Sequence, residues 1–276
     1  MRIPIVGILA TPYINNKESR EQVFLSDFFI KLFKRNNLNY IIIPYNLSNI
    51  KMKTIVNKLD GLLFPGSQIG NYYYSKEFIK HLKKQKLLLK LAKSINNSER
   101  FLPILAICHG FHNSMLIESN ESIDDLFINV HSYYNYKKSL KFTKHGEKLR
   151  KLFNKSNKLI HNNKLGISPN HISKTKKISL YATCKDKNQI EFVEIIKHKN
   201  YPFYGFQGHA ERSNPELLIP YIQDIKKSFY NRCIISNKRC SLSNTTRKLK
   251  KMLKCKKIKC KKSNNTTCCV YNVNSK

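Results

Sequence analysis

The sequence LPILAICHGFHNSMLIE, residues 102–118, contains an apolar run, a cysteine between small residues, and a second apolar stretch. The run Ile104–Ile107 is short and bounded by proline, which is typical of a buried strand. Apolar residues at helical spacing follow the cysteine. Ala106 and Gly110 leave room for a tight turn on either side of Cys108, in the pattern called a nucleophile elbow. We therefore predict a strand, a sharp turn that carries the reactive cysteine, and a helix.

The predicted position of Cys108 would favour its reactive form. At the N-terminus of a helix, backbone N–H groups and the helix dipole stabilise the thiolate, which is the nucleophile. For an isolated cysteine, a buried core residue would be the better interpretation. The flanking pattern favours a catalytic nucleophile instead.

The residues before the elbow alternate between strand and helix patterns. Alternation of this kind predicts a parallel sheet with right-handed crossovers, in which ligands bind beyond the carboxyl ends of the strands. The expected strands are residues 3–10, 40–44 and 61–65, and the expected helices are residues 19–36, 50–59 and 77–95.

The second half has a different pattern. Two alternating segments separated by a polar turn predict a hairpin, and residues 215–234 are expected to form a closing helix. The expected strands are residues 126–134, 178–184, 190–196 and 201–207, and the expected helices are residues 147–153 and 215–234. We therefore predict one catalytic domain over residues 1–235 and a disordered Lys/Cys-rich tail over residues 236–276.

The chain is strongly basic, with a formal net charge of +34 over 276 residues. Residues 231–276 contain 14 Lys/Arg and no Asp/Glu. Such a tail predicts weak contact with a polyanion or a membrane surface, although drift of the composition toward Lys and Asn explains much of the charge. No secretory leader is visible in the sequence, so a cytoplasmic location is the default expectation.

A cysteine nucleophile needs a base, and a carboxylate usually orients that base. His209 follows a predicted strand, and Glu211 lies two residues later, on the same side of an extended chain. An oxyanion hole is also available. Its two backbone N–H groups would come from His109, directly after Cys108, and from Ser67, after the third strand.

Five motifs of this chain resemble those of the γ-glutamyl hydrolases, a branch of the class I glutamine amidotransferase-like superfamily, and they occur in the same order. They are PIVGILATPY (4–13), DGLLFPGS (60–67), PILAICHGFH (103–112), SPNHIS (168–173) and YPFYGFQGHAERSNPE (201–216). The resemblance implies a three-layer, flavodoxin-like α/β fold with a central, mostly parallel sheet flanked by helices.

The resemblance also implies roles for individual residues. It makes Cys108 the nucleophile, His209 the base and Glu211 its partner. It assigns substrate binding to four residues, which are Gly66, His112, His171 and Gln207. It implies neither a metal nor a cofactor.

Five positions depart from the family pattern. Ala106 and Ser67 stand where glycine is usual, and His112 replaces a carboxylate. Gly208 and Ala210 replace the tryptophan and proline beside the catalytic histidine. Many members of the family also carry a leader and are secreted, vacuolar or lysosomal.

The expected function is hydrolysis of γ-glutamyl amide bonds, above all those of folylpoly-γ-glutamates, through a Cys-His-Glu triad and a thioester. The expected partner is a small γ-glutamyl substrate, and a homodimer is left open. Alternatives are hydrolysis of another γ-glutamyl peptide, an amidase of the glutamine amidotransferase type, and an inactive basic binding protein.

Overall fold

A computed structural model describes residues 3–12, 22–67, 75–152, 157–235, 255–263 and 266–273. The chain divides into two compact units, one of residues 1–104 and 222–276 and the other of residues 105–221. Within the described ranges, no helix has the length and apolar character that a membrane span requires.

The strands are numbered in chain order. They are β1 Ile5–Leu9, β2 Gln22–Ser26, β3 Asn39–Ile43, β4 Gly61–Phe64, β5 Ile104–Ile107, β6 Phe127–Ser139, β7 Lys141–Phe142, β8 Lys158–Ile167, β9 Ile178–Lys185, β10 Glu191–His198, β11 Phe203–Phe206, β12 Cys255–Ser263 and β13 Thr266–Val273.

The helices are numbered in the same way. They are α1 Asp27–Arg35, α2 Asn49–Val56, α3 Lys76–Asn96, α4 His109–Ser119, α5 Ile123–Leu126, α6 Glu147–Arg150, α7 Pro169–Lys174, α8 Ala210–Ser213 and α9 Ile219–Ile235, with 3₁₀ turns at Lys144–Gly146 and Pro215–Leu218.

In the first unit, β1 lies between β3 and β4 and pairs in parallel with both. These strands are short apolar runs, and β1 and β4 are buried along their whole length, as expected for strands of a parallel sheet that are covered on both faces. Helix α1 precedes β3, helix α2 lies between β3 and β4, and helix α3 lies between β4 and β5. The predicted alternation of strands and helices is therefore confirmed here.

A buried ion pair ties α9 to this sheet. The Asp60 carboxylate is fully buried and accepts hydrogen bonds from the Ile5 backbone N–H at 2.8 Å and from the Arg232 guanidinium at 2.8 and 2.9 Å. A buried carboxylate is costly unless it is paired and hydrogen-bonded. Asp60 therefore fixes the last helix against the start of β1.

The helix predicted for residues 19–36 is shorter in the structure. Residues 22–26 form β2, and α1 begins only at Asp27, where the Ser26 hydroxyl caps it by accepting from the Phe28 N–H at 3.3 Å. The helical spacing of Val23 and Phe24 was misleading, because β-branched and aromatic residues also favour strands.

The basic tail contains two strands where disorder was predicted. In order, β12, β13 and β2 form an antiparallel sheet. The prediction rested on a composition poor in apolar periodicity, but residues 266–273, TTCCVYNV, are rich in strand-forming residues. Residues 236–254 of the tail lie outside the described ranges.

In the second unit, β9 and β10 form the predicted antiparallel hairpin, and β11 and β7 pair with its two sides. The separate pair β6–β8 is also antiparallel. Strand β8 was not predicted. Its inward positions include His161 and Asn163, so the strand lacks the apolar alternation by which strands are usually recognised.

Candidate active site

The turn at Cys108 has the geometry of a nucleophile elbow. Strand β5 ends at Ile107, helix α4 begins at His109, and Cys108 between them has φ 54° and ψ −115°. A non-glycine residue with positive φ is strained and occurs mainly at functional sites. The Cys108 N–H donates to the Phe206 carbonyl at 2.8 Å, which fixes the turn against the end of β11.

The structure brings Cys108, His209 and Glu211 together within the second unit. His209 Nδ1 lies 2.9 Å from Glu211 Oε1, and His209 is close enough to Cys108 for the two side chains to interact electrostatically. The predicted extended arrangement of residues 209–211 is wrong, since Glu211 lies in the first turn of α8. The turn nevertheless places its carboxylate against the imidazole.

The charges around His209 favour its protonated form. Burial alone would lower its pKa, but the negative charge of Glu211, the electrostatic effect of Cys108 and the hydrogen bond to Glu211 outweigh burial and raise the pKa to about 10. At neutral pH this histidine is therefore an imidazolium beside a sulfur nucleophile. Such a group can deliver a proton to a leaving amine.

Asn163 of β8 is a further residue of the site, which the sequence analysis missed. Its Oδ1 lies 3.6 Å from Cys108 Sγ and accepts the S–H when the sulfur is a thiol. Its orientation is fixed because Nδ2 donates to the Gln207 carbonyl at 3.2 Å and Oδ1 accepts the Asn162 N–H at 3.2 Å. Alternate polar residues in LIHNNKL, residues 159–165, were the signal that could have revealed it.

Gln207 and His112 lie together beneath this site, and both side chains are buried. His112 Nε2 and Gln207 Oε1 are 2.8 Å apart, and Gln207 Nε2 donates to the Leu165 carbonyl at 3.2 Å. Burial lowers the pKa of His112 to about 4, against the opposing effect of the hydrogen bond to Gln207. His112 is thus a neutral donor at neutral pH, unlike the carboxylate usual at this position.

This lowered pKa predicts sensitivity to acid. Between pH 6.5 and about 4 the unfolded chain binds a proton at His112 that the folded protein does not, so the free energy of unfolding should fall as the pH falls. Urea titrations at pH 7 and pH 4.5 should show that His112→Gln, which keeps a donor for Gln207, reduces this fall by about 2 kcal/mol. An unchanged fall in His112→Gln would contradict the assignment of the proton to His112.

The remaining predicted site residues occupy different places. His109 is the first residue of α4, where backbone N–H groups lack acceptors within the helix. His171 lies in α7, and its ring nitrogen Nε2 contacts the Glu121 carboxylate. Gly66 and Ser67 belong to the first unit and follow the end of β4. The roles of these four residues stay predictions.

One cluster of the described residues could hold a metal ion. His161, Cys184 and Glu194 are all buried, and their ligand atoms lie within 4.8 Å of one another. However, His161 Nε2 and Glu194 Oε2 are 2.8 Å apart, the distance of a direct hydrogen bond. The arrangement is therefore that of a histidine–carboxylate pair beside a thiol.

The chain is similar to several known proteins. The model of the peptidase C26 family matches residues 4–211, a range that contains Cys108, His209 and Glu211. The chain is 25% identical over 227 residues to γ-glutamyl hydrolase B of Dictyostelium discoideum, covering 76% of this chain and 63% of that protein.

Two further relatives are also named γ-glutamyl hydrolase. The chain is 25% identical over 243 residues to γ-glutamyl hydrolase 1 of Arabidopsis thaliana, covering 80% of this chain and 67% of that protein. It is 21% over 226 residues to human γ-glutamyl hydrolase, covering 76% and 68%. The chain thus spans about two thirds of the length of these relatives, and slightly less of the first.

The fold also has a counterpart of known structure. The crystal structure of a protein described as a GMP synthase subunit from Thermoplasma acidophilum matches with a TM-score of 0.56 and 16% identity, covering 84% of this chain and 98% of that chain. The predicted glutamine amidotransferase-like α/β fold is thereby confirmed.

Proposed function

We propose, from the premise that this chain belongs to the peptidase C26 family, that it is a cysteine hydrolase of γ-glutamyl amide bonds. The observation that carries the proposal is the His209–Glu211 hydrogen bond in electrostatic reach of Cys108, which lies at a strained strand–helix turn. The relatives named γ-glutamyl hydrolase support the bond specificity.

The proposed reaction is acyl transfer through Cys108. The sulfur attacks the γ-carbonyl carbon, and the resulting oxyanion accepts a hydrogen bond from the His109 N–H. The imidazolium of His209 gives its proton to the leaving amine as the C–N bond breaks. Water, deprotonated by His209, then attacks the thioester and releases the γ-carboxylate and the thiol.

Glu211 orients the base in this scheme. Its carboxylate is largely buried and binds Nδ1 of His209, so Nε2 is the ring nitrogen available to Cys108. A negative charge at this position also stabilises the imidazolium that forms during proton transfer. An inactive binding protein would have no need of this arrangement, which argues against that alternative.

The proposed substrates are folylpoly-γ-glutamates, as the family resemblance implies. The test is incubation of the purified chain with folyl- and antifolate-polyglutamates, with glutamate and shortened products followed by mass spectrometry. The expected result is release of glutamate from γ-linked glutamate chains but not from α-linked chains of equal length. Ammonia release from glutamine without cleavage of γ-linked chains would instead support an amidase of the glutamine amidotransferase type.

We further propose that the basic tail binds polyanions. Its Lys/Arg residues, with no acidic residue among them, would release counterions from a polyanion, so binding should weaken steeply with salt.

Truncation at residue 236 should therefore reduce retention on heparin but leave the rate of glutamate release unchanged, because Cys108, His209 and Glu211 all lie within residues 105–221. Chromatography and the release assay on the truncated and full chains check both parts. Unfolding of the truncated chain, or stoichiometric zinc bound by the tail cysteines, would show that the tail is a structural part of the domain.

A further inference from the structure

The backbone that carries His209 is held at three consecutive N–H groups. The Gln207 N–H donates to the Glu194 carbonyl at 2.8 Å, and the His209 N–H donates to the Ile160 carbonyl at 2.8 Å. Between them, the Gly208 N–H donates to a side chain, the Glu194 carboxylate, with Oε1 at 2.7 Å. The bond at Gly208 is therefore the one that a side-chain substitution can remove.

Glu194 is itself held by His161. Both side chains are fully buried, and Glu194 Oε2 lies 2.8 Å from His161 Nε2. The other ring nitrogen, Nδ1, lies 3.3 Å from the Tyr136 carbonyl. Both ring nitrogens thus lie within hydrogen-bond distance of oxygen atoms, which fixes the orientation of the ring. A pair fixed at each end in this way can hold Glu194 Oε1 in a defined position.

The pair can reach the backbone only because residue 208 has no side chain. A Cβ atom at Gly208 would lie 2.6 Å from Glu194 Oε1 and 3.0 Å from His161 Nε2, distances shorter than van der Waals contact. The sequence departs from its family at this same position, where glycine replaces tryptophan. Glu194 and His161 therefore occupy space beside the catalytic loop that a larger residue at position 208 would need.

We propose that the buried Glu194–His161 pair positions His209, with Glu194 fixing the Gly208 N–H and thereby the backbone on which the imidazole is mounted. This inference rests on the proposed function in one respect, since it takes His209 as the acid–base group. Neither Glu194 nor His161 is assigned a contact with Cys108. Both act through the backbone of residues 207–209. Displacements of about 1 Å at a catalytic group can lower rates by up to about 10²-fold.

The alternative for these residues, a metal site completed by Cys184, is less consistent with their surroundings. His161 Nε2 and Glu194 Oε2 are 2.8 Å apart, so a metal ion would have to displace the hydrogen bond that joins them.

Two substitutions of similar size separate the hydrogen bond from the volume of the side chain. Glu194→Gln keeps an acceptor for the Gly208 N–H and a donor for His161, whereas Glu194→Leu keeps the bulk and loses both. Glu191→Leu is the matched control on the same strand. Within the described part of the chain, the Glu191 carboxylate accepts a hydrogen bond from Thr183 Oγ1 at 2.6 Å. Glu191 takes no part in the proposed machinery.

The experiment measures native alkylation of Cys108 by iodoacetamide, which needs no substrate, together with kcat and KM. We expect Glu194→Leu to slow alkylation and to lower kcat by about tenfold, with KM changed less than about twofold. For Glu194→Gln and Glu191→Leu, the alkylation rate and kcat should each stay within about threefold of the values for the unmodified chain. If Glu194→Leu does not fold, Gly208→Ala, whose Cβ pushes on Glu194 Oε1, should give the same slowed alkylation.

Several results would overturn the inference. Equal alkylation and kcat in Glu194→Leu and Glu191→Leu would leave the pair with a purely structural role. A fall in alkylation rate and kcat as large in Glu194→Gln as in Glu194→Leu would show that the charge of Glu194, and not its hydrogen bond to Gly208, is needed. Stoichiometric zinc that is lost on Cys184→Ala would make the cluster a metal site. The expected alkylation pattern without cleavage of any γ-glutamyl substrate would contradict the proposed function and leave this inference standing.

Discussion

Replacing Cys108 by serine is expected to abolish γ-glutamyl hydrolysis while the protein stays folded. Only the sulfur changes, and serine can adopt the positive φ of this turn at a cost similar to that of cysteine. Removal of a nucleophile that works in concert with a base lowers kcat by about 10⁴-fold or more. The measurement is glutamate release by Cys108→Ser, with thermal unfolding of the same sample as the control for folding.

Alkylation of the unmodified chain provides an internal comparison for this prediction. Both cysteines are buried, Cys108 at 9% exposure and Cys184 at 2%. Cys108 lies at a helix N-terminus beside His209, whereas burial raises the pKa of the Cys184 thiol far above its usual range. Iodoacetamide should therefore label Cys108 well before Cys184 in the native protein. Comparable labelling of the two cysteines would refute the assignment of Cys108 as an activated nucleophile.

Replacing His209 by alanine is the second change with a large expected effect. Without the imidazole, no group delivers a proton to the leaving amine, and general acid–base groups typically contribute about 10²- to 10⁴-fold. The measurement is kcat/KM for γ-glutamyl cleavage. His145→Ala is the matched control, because His145 is exposed and its ring stacks on Tyr181. Full activity of His209→Ala would move the base elsewhere, with His171 the next candidate.

Glu211→Gln should be milder and should change the pH profile. Burial lowers the pKa of His209, and the negative charge of Glu211 is the largest of the contributions that raise this pKa to about 10. The reaction needs the imidazolium, so activity is lost as the pH rises through this pKa. Without the charge the pKa falls, and the alkaline limit of kcat/KM should move to lower pH. An unchanged alkaline limit would mean that Glu211 does not control the protonation of His209.

Much of this site could be predicted from local sequence. The strand–turn–helix around Cys108 is encoded by an apolar run, two small residues and a helical pattern within residues 102–118, and all three are observed. His209 and Glu211 were recognised because they are close in sequence. Their contact was predicted for the wrong reason, since a helical turn and not an extended chain brings them together.

The supporting residues could not be predicted in the same way. Asn163, His161 and Glu194 are brought to the catalytic loop by β8 and β10, and their side chains face inward at positions where the pattern rule expects apolar residues. Buried polar residues are recognised only with their partners, and those partners are distant in sequence. The pairing of β2 with β13, from opposite ends of the chain, is another long-range contact of this kind.

The proposed reaction passes through a thioester between Cys108 and a γ-glutamyl group, and hydroxylamine trapping tests that intermediate directly. Hydroxylamine attacks the thioester carbonyl, forms a γ-glutamyl hydroxamate and releases the thiol. During turnover of a folylpoly-γ-glutamate, mass spectrometry should detect this hydroxamate with the unmodified chain and not with Cys108→Ser. Glutamate release that continues without any hydroxamate, or hydroxamate formation by Cys108→Ser, would contradict the account.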